Sequence, residues 1–136
     1  MLITITSAVK EDFECILAMR EQVHITVSDL LRLEDFYQCL VAKNKSGLCI
    51  GFTLFSFGLS LTKGKYIYVN ELFVTENYRN KGTGKLLFER LKLSAKRAGC
   101  RFICWRTSCF DLRSIGFYLA MGTQINDTDL NCMLEI

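Results

Sequence analysis

The stretch ELFVTENYRNKGTGKLLFERL, residues 71–91, decides how this chain folds. Its opening residues Leu72–Val74 form an apolar run that is typical of a strand, and its closing residues repeat apolar side chains at helical spacing. Between these two parts, Gly82 and Gly84 stand one residue apart among basic residues. The stretch therefore predicts a strand, a glycine-containing loop and an amphipathic helix in direct succession.

A glycine-containing loop before a helix has several explanations, and residue spacing excludes two of them. A nucleotide P-loop requires GxxxxGK followed by Ser or Thr, but Arg79 stands at the first glycine position and Leu86 follows Lys85. A dinucleotide fingerprint requires a third glycine and a later acidic residue at a strand end, and neither fits. Two explanations remain: an ordinary helix start with incidental glycines, and a site that binds a pyrophosphate.

The pyrophosphate explanation follows from the backbone and the charge of the loop. Because glycine has no Cβ, Gly82 and Gly84 allow a ligand to approach the main chain closely. The first turn of a helix presents N–H groups and about half a positive charge at the same place. Arg79, Lys81 and Lys85 add long-range attraction and further donors. We therefore predict a pyrophosphate site in this loop.

The rest of the sequence predicts a mixed α/β sheet in a single domain, residues 1–136. Short turns join three successive strands into an antiparallel meander, and a helix then crosses to a parallel strand. Leu86, Leu87, Leu91 and Ala95 form the predicted buried stripe of that helix, which Gly99 ends. Strands are predicted at 2–7, 36–42, 49–59, 66–74, 101–105 and 131–136, and helices at 12–20, from 28, at 81–98 and at 112–121.

Composition limits the class of protein. The chain has 136 residues, 50% of them hydrophobic and 23% charged, which suits one domain with a real core. A net charge of +3 is far below the basic excess of a dedicated nucleic-acid binder, so no nucleic acid is expected as a partner. The longest apolar run, 48–61, is interrupted by small polar residues, and the N-terminus lacks signal-peptide features. We therefore expect no membrane association and a cytoplasmic location.

The cysteines are expected to pack as small core hydrophobes. Their number is odd, no CxxC pair occurs, and His24 is the only histidine, so neither a disulfide framework nor a metal site is expected. The seven cysteines are Cys15, Cys39, Cys49, Cys100, Cys104, Cys109 and Cys132.

The stretch 71–91 resembles the acyl-CoA-binding motif of the GNAT superfamily of N-acyltransferases, in which an apolar strand runs into Q/R-x-x-G-x-G/A and a helix. SIGFYLAMG, residues 114–122, stands at the distance of the family's FY-containing helix. Together with FYQCLVA at 36–42 and GFTLFSF at 51–57, it is similar to polyamine (diamine) acetyltransferases. The resemblance covers nearly the whole chain and implies a GNAT-like α/β fold, with a meander followed by a βαβ unit whose central strands splay apart.

The resemblance implies that an amine attacks the thioester of acetyl-CoA directly and that no metal takes part. The pantetheine arm would enter between the two parallel strands and bond to the backbone of Leu72, Phe73 and Val74. An N–H at Phe73 or Val74 would polarise the thioester carbonyl. The loop that would hold the pyrophosphate consists of Arg79, Asn80, Lys81, Gly82, Thr83, Gly84 and Lys85.

The resemblance also implies which residues transfer protons. Tyr118 matches the family's tyrosine and would protonate the departing thiolate, although a packed helix aromatic would explain it too. In polyamine enzymes a glutamate of the central strand takes the amine proton, but Asn70 stands there and Glu71 follows it. Glu71 would serve if a bulge turned it round, and is otherwise a solvent-facing strand residue; a water chain is a third route. Asp111 aligns with an asparagine of the family and would equally serve as a helix N-cap.

The sequence therefore favours an acetyl-CoA-dependent N-acetyltransferase acting on a primary amine of a small molecule, such as a polyamine, a diamine or an amino-acid-like amine. A protein or peptide N-acetyltransferase and a non-catalytic acyl-CoA-binding module are the alternatives, and the neutral Asn70 favours the latter. The segment 20–35 has four acidic and two basic residues and is only mildly acidic, unlike the strongly acidic segment of polyamine enzymes, which weakens the case for a polyamine. Pairing of sheet edges between subunits would give a homodimer.

Overall fold

The computed structural model describes residues 2–19, 26–32, 37–106, 124–126 and 131–136 of the chain. Its strands are β1 Thr4–Ser7, β2 Tyr37–Lys43, β3 Cys49–Ser60, β4 Gly64–Val74, β5 Phe102–Arg106, β6 Gln124–Asn126 and β7 Asn131–Glu135. Its α-helices are α1 Phe13–Ala18, α2 Val27–Arg32 and α3 Thr83–Arg97, and short 3-10 turns span Lys10–Asp12 and Glu76–Tyr78. The predicted helix at 112–121 lies outside the described residues.

The strands form one mixed sheet in the order β1-β2-β3-β4-β5-β7-β6. β2 is antiparallel to both β1 and β3. Since only residues 61–63 join β3 to its neighbour β4, this pair is an antiparallel hairpin. β4 and β5 run parallel, as a crossover through α3 requires. The predicted meander followed by a βαβ unit is therefore confirmed, while β6 was not predicted.

The two central parallel strands pair over a short distance only. Their register joins Tyr66 to Phe102, Ile67 to Ile103 and Tyr68 to Cys104. Both strands continue beyond the third pair, β4 as far as Val74, and the described residues there pair no further with each other. The described pairing of the two parallel strands therefore ends at Tyr68 and Cys104.

The described chain forms two compact units. The first comprises Met1–Ser56 with Asn70–Leu91, and the second comprises Phe57–Val69 with Lys92–Ile136. The first unit has a core of Phe13, Ile16, Leu30, Val41 and Phe52, against which Phe73 packs. It also holds the end of β4, the glycine loop and the start of α3, so every described candidate site residue belongs to this unit.

Helix α3 buries a stripe that differs from the predicted one in one residue. Leu87, Leu91 and Ala95 are fully buried at spacings of four, as predicted, but Leu86 is 42% exposed and Phe88 is buried instead. At 100° per residue, Leu86 and Phe88 lie on opposite flanks of Leu87, so only one of them can face the core. The flank with the larger aromatic side chain is the buried one, and the assignment of Leu86 to the stripe was wrong.

Gly99 terminates α3, as predicted. It adopts a φ of 76°, in the left-handed region that favours glycine. The N–H of Gly99 donates to the carbonyl of Lys96 at 3.1 Å, and the N–H of Cys100 donates to that of Ala95 at 2.8 Å. These bonds satisfy carbonyls at the helix end that would otherwise have no partner.

The cysteines whose side chains are described are free thiols in or near the cores. Cys49 and Cys100 are buried, and Cys15, Cys39 and Cys104 are half-buried. Burial raises the pKa of Cys39 and of Cys49 to about 12 and that of Cys104 to about 11. These three thiols therefore stay protonated near neutral pH and behave as the small hydrophobes that the sequence predicts.

Candidate active site

The loop between β4 and α3 reverses the chain with two residues in the left-handed region. After Val74, a 3-10 turn over Glu76–Tyr78 leads to Asn80, whose φ is 61°, and to Gly82, whose φ is 85°. Asparagine tolerates this conformation better than most side chains do, and glycine adopts it without steric cost. The residue types of the loop thus match the backbone that brings the chain into α3.

The start of α3 offers backbone donors to a ligand. The N–H of Leu86 donates to the carbonyl of Gly82 at 3.0 Å, so the N–H groups of the three preceding helical residues have no intrahelical acceptor. These residues are Thr83, Gly84 and Lys85. A Cβ added at Gly82 would meet no atom within 4 Å, so the space over this backbone is open. The geometry is that of an anion site at a helix N-terminus.

The side chain of Thr83 points away from such a ligand. It is fully buried, and its hydroxyl donates to the carbonyl of Tyr78 at 3.4 Å. Any contact that Thr83 makes with a diphosphate therefore comes from its backbone N–H, as is also true of the glycines.

Two of the three cations predicted to attract the ligand also contact the protein. Nε of Arg79 donates to the carbonyl of Val74 at 2.9 Å, and its guanidinium lies 5.4 Å from the ring centroid of Phe73. Nζ of Lys81 lies 5.6 Å from the ring centroid of Tyr78. Arg79 therefore ties the loop to the end of β4, which adds a structural task to its predicted role. Lys85 is exposed in the first turn of α3.

The end of β4 departs from regular strand geometry. Oδ1 of Asn70 accepts a hydrogen bond of 3.3 Å from the hydroxyl of Ser56, and the Phe73 ring centroid lies 6.2 Å from that of Phe52. Ser56 and Phe52 are four residues apart on β3, so they share a face of the sheet. Asn70 and Phe73 are three residues apart and would face opposite sides in a regular strand. We infer that β4 contains a β-bulge between them.

Contacts from β3 locate this bulge. The hydroxyl of the buried Thr53 donates to the carbonyl of Glu71 at 2.9 Å. A Cβ on Gly51 would lie 2.9 Å from the carbonyl oxygen of Phe73, so only glycine fits there. Both carbonyls thus face β3. A bulge at this point is what the sequence analysis required for Glu71 to turn, and the Glu71 side chain is half-buried.

The N–H and C=O groups of Val74 point away from β3, towards the other edge of β4. The N–H of Thr75 donates to the carbonyl of Ile50 on β3 at 2.9 Å, and strand alternation directs the N–H and C=O of the preceding residue the other way. The carbonyl of Phe73 approaches Gly51, so the N–H of Phe73 faces β3 as well. Of the two N–H groups predicted to polarise a thioester, the geometry therefore favours that of Val74.

The remaining predicted positions fall outside the described residues. They are Tyr118, Asp111 and His24. Within the described ranges, no three His, Cys, Asp or Glu side chains are grouped so that they could hold a metal ion. No described helix is both long enough and apolar enough to cross a membrane.

The residues that support the site from β3 and from the turn before it could not be recognised in the sequence. Thr53 and Ser56 bond to β4, and Nδ2 of Asn44 donates to the hydroxyl of Tyr78 at 3.0 Å. Asn44 and Tyr78 are 34 residues apart. No local pattern connects them, because their contact depends on how β2, β3 and β4 are arranged in the sheet.

Comparison with known proteins identifies the family of this fold and loop. The sequence matches the Acetyltransferase (GNAT) family over residues 5–123. The chain belongs to the GNAT acetyltransferase family. The resemblance found in the sequence is thereby confirmed, and so is the fold class.

Among curated relatives, this GNAT chain is 31% identical over 96 residues to thialysine N-epsilon-acetyltransferase of Bos taurus, covering 65% of the chain and 56% of the relative. It is 34% identical over 77 residues to an L-ornithine N5-acetyltransferase of Arabidopsis thaliana, covering 55% of the chain and 33% of the relative. It is 26% identical over 114 residues to the human spermidine/spermine N(1)-acetyltransferase-like protein 1, covering 76% of the chain and 16% of the relative. The chain thus spans little more than half, or less, of the length of these relatives.

Solved structures are similar in fold to this chain. The PaiA N-acetyltransferase of Thermoplasma acidophilum, solved in complex with coenzyme A, superposes with a TM-score of 0.82 at 15% identity, covering 100% of both chains. A GNAT acetyltransferase of Staphylococcus aureus Mu50 gives a TM-score of 0.80 at 15% identity, covering 98% of this chain and 99% of the other. At these identities the likeness concerns the fold.

Proposed function

We propose that this GNAT chain is an acetyl-CoA-dependent N-acetyltransferase that acetylates a primary amine of a small molecule. The observation that carries the proposal is that two features follow each other directly in the first unit. The first is the backbone of Val74, which faces away from β3. The second is the set of N–H groups in the first turn of α3, which follow Gly82 beside open space. Family membership supports acetyl-CoA as the donor, and the names of the thialysine and ornithine relatives support a small amine as the acceptor.

Coenzyme A would lie along this succession. The N–H groups of Thr83, Gly84 and Lys85 would hold its diphosphate, with Lys81 adding positive charge. The pantetheine arm would run along the edge of β4 that faces away from β3 and bond to Val74. Since a carbonyl oxygen has two lone pairs, the Val74 carbonyl can keep its bond from Arg79 and still accept one from pantetheine.

The N–H of Val74 would stabilise the oxyanion that develops when the amine attacks the thioester carbonyl. The new C–N bond forms, the C–S bond breaks, and Tyr118 would give its proton to the departing thiolate. The ordinary pKa values are about 10 for tyrosine and about 8.5 for a thiol, so this transfer is slightly uphill unless the site lowers the tyrosine pKa. It prevents the thiolate from attacking the product.

The amine must lose a proton before it attacks, and the residues near the bulge decide how. Asn70 is exposed and its amide oxygen accepts from Ser56, so this pair can bind an ammonium group through neutral oxygens. Neither side chain can accept a proton at neutral pH. Proton removal would therefore fall to Glu71 or to a chain of water molecules.

A thiol-release assay with acetyl-CoA and a panel of amines tests the proposal. The panel contains diamines, polyamines, ornithine, thialysine and a peptide with a free N-terminus. We expect release with at least one small amine, and Tyr118→Phe should lower kcat at least tenfold, about 1.4 kcal/mol of barrier, with unchanged coenzyme A affinity. Equal turnover of the wild type and Tyr118→Phe would remove Tyr118 from the mechanism.

The same assay separates the alternative functions. Release with the peptide alone would point to a protein N-acetyltransferase. Calorimetric uptake of coenzyme A without thiol release from any amine would indicate a non-catalytic acyl-CoA-binding module, which the neutral Asn70 favours. Failure of the protein to take up coenzyme A would refute all three. A cytoplasmic location and a homodimer stay predictions, for imaging of the tagged protein and for sedimentation.

A further inference from the structure

Tyr78, which immediately precedes the motif arginine, is held from three directions. Its hydroxyl accepts a hydrogen bond of 3.0 Å from Nδ2 of Asn44. Its carbonyl accepts from the hydroxyl of Thr83 at 3.4 Å, and Nζ of Lys81 lies 5.6 Å from its ring centroid. Tyr78 thus connects both ends of the glycine loop to the turn between β2 and β3.

That turn is itself well fixed, so it can serve as an anchor. Oδ1 of Asn44 accepts from the N–H of Ser46 at 2.9 Å and from the N–H of Leu48 at 3.0 Å. The backbone of Asn44 bonds to Leu48 at 3.0 Å and to Gly47 at 2.9 Å. Because both side-chain bonds need an acceptor, the amide oxygen is identified, and the atom facing Tyr78 must be the donor Nδ2.

We propose that the hydrogen bond from Asn44 to Tyr78 positions the glycine loop for the diphosphate of coenzyme A, a role that rests on the proposed function. The loop contains Asn80 and Gly82 in left-handed conformations, and a loop of this kind loses conformational entropy when it is ordered. A bond that orders it before the ligand arrives removes this cost from binding. Asn44 and Tyr78 are therefore positioning residues and contact no reacting atom.

Two acetyl donors distinguish positioning of the loop from a general structural effect. Acetyl-CoA carries the diphosphate, whereas S-acetylpantetheine presents the same thioester without it. In Tyr78→Phe, which keeps the ring and the backbone carbonyl, we expect the Kd for coenzyme A and the KM for acetyl-CoA to rise about three- to tenfold, the range of one neutral hydrogen bond. The kcat with acetyl-CoA and kcat/KM with S-acetylpantetheine should stay unchanged.

Two further variants make the test specific. Tyr66→Phe also removes a tyrosine hydroxyl, from a residue of β4 whose ring stacks on Phe102. This variant should leave the Kd for coenzyme A unchanged. Asn44→Ser keeps a short hydroxyl acceptor for the turn but is too short to reach Tyr78. In this background Tyr78→Phe should cause no further loss, because the two residues act through one bond.

Each outcome is decisive. A wild-type Kd for coenzyme A in Tyr78→Phe, or equal losses with both donors, would overturn the positioning role while leaving the proposed function intact. Additive losses in the double variant would likewise exclude a shared bond. A wild-type protein that binds no coenzyme A would instead overturn the proposed function itself. Should Tyr78→Phe not fold, Asn44→Ser alone gives the comparison between the two donors.

Discussion

Replacing Gly82 by alanine separates the binding role of the glycine loop from its role in folding. Gly82 has a φ of 85°, where an L-residue costs about 1–2 kcal/mol, although alanine recovers about 0.4–1 kcal/mol by restricting the unfolded chain. The net loss in the free energy of unfolding should therefore be about 1 kcal/mol. The added Cβ meets no protein atom within 4 Å, so backbone strain is the only folding cost expected.

Gly99 provides a matched control in the same chain. Its φ is 76°, and a Cβ there also meets no atom within 4 Å, so Gly99→Ala should cost about the same stability. It terminates α3 and takes no part in the glycine loop. If the open space over Gly82 receives the diphosphate, Gly82→Ala should weaken coenzyme A binding at least tenfold, about 1.4 kcal/mol, and Gly99→Ala should leave it unchanged.

Urea unfolding gives the free energy of unfolding of each variant, and calorimetry gives its Kd for coenzyme A. We expect two similar losses of stability and one loss of coenzyme A binding. A wild-type Kd in Gly82→Ala would show that the ligand does not approach this backbone. Equal binding losses in both variants would assign the effect to stability, and the loop would keep only its role as a helix start.

Two other predictions concern the supports of the first unit. Thr53→Val removes the hydroxyl that bonds to the carbonyl of Glu71, so the free energy of unfolding should fall by about 1–2 kcal/mol and coenzyme A affinity should fall with it. Unchanged urea unfolding would contradict a stabilising role for this hydrogen bond. Burial acts to raise the pKa of Asp12, but the N–H of Val9 and the ammonium of Lys43 outweigh it and lower that pKa below the usual value near 3.9. The ionised form therefore stabilises the fold above about pH 4, and this contribution is lost as pH falls through the lower folded pKa. The stability difference between the wild type and Asp12→Asn should be constant from pH 7 to about pH 5 and shrink below it, and a difference unchanged in acid would refute the ion pair.

Local sequence patterns predicted the elements of this fold well wherever the pattern was strong. The run Leu72–Val74, the glycine loop and the repeat of α3 gave the strand, the reversal and the helix, because each depends on neighbouring residues only. The exposure of Leu86 could not be obtained in this way. Spacing alone places Leu86 and Phe88 equally beside Leu87, and the packing partners of the helix decide between them.

The candidate site shows the same division. The position of the glycine loop Arg79–Lys85 before α3 was predicted from residue types and spacing, since the conformation of the loop depends on its own residues. The partners that shape it were not: Thr53 meets Glu71 across 18 residues, and Asn44 meets Tyr78 across 34. Such contacts depend on the order and the register of the strands. The sequence predicted the topology of the sheet but not which residues pair across it.

The bulge inferred in β4 would link the stability of the first unit to its proposed chemistry. In a regular strand, Phe73 would project from the face opposite to Asn70, and the core around Phe52 would lose an aromatic partner. The extra residue lets Asn70 stay beside Ser56 on the surface while Phe73 enters the core. It also directs the carbonyls of Glu71 and Phe73 towards β3, which leaves the N–H of Val74 on the opposite edge. On the proposed function, the packing of Phe73 would select the backbone register that a thioester needs, so we expect sequence changes at this core to alter coenzyme A binding as well as folding.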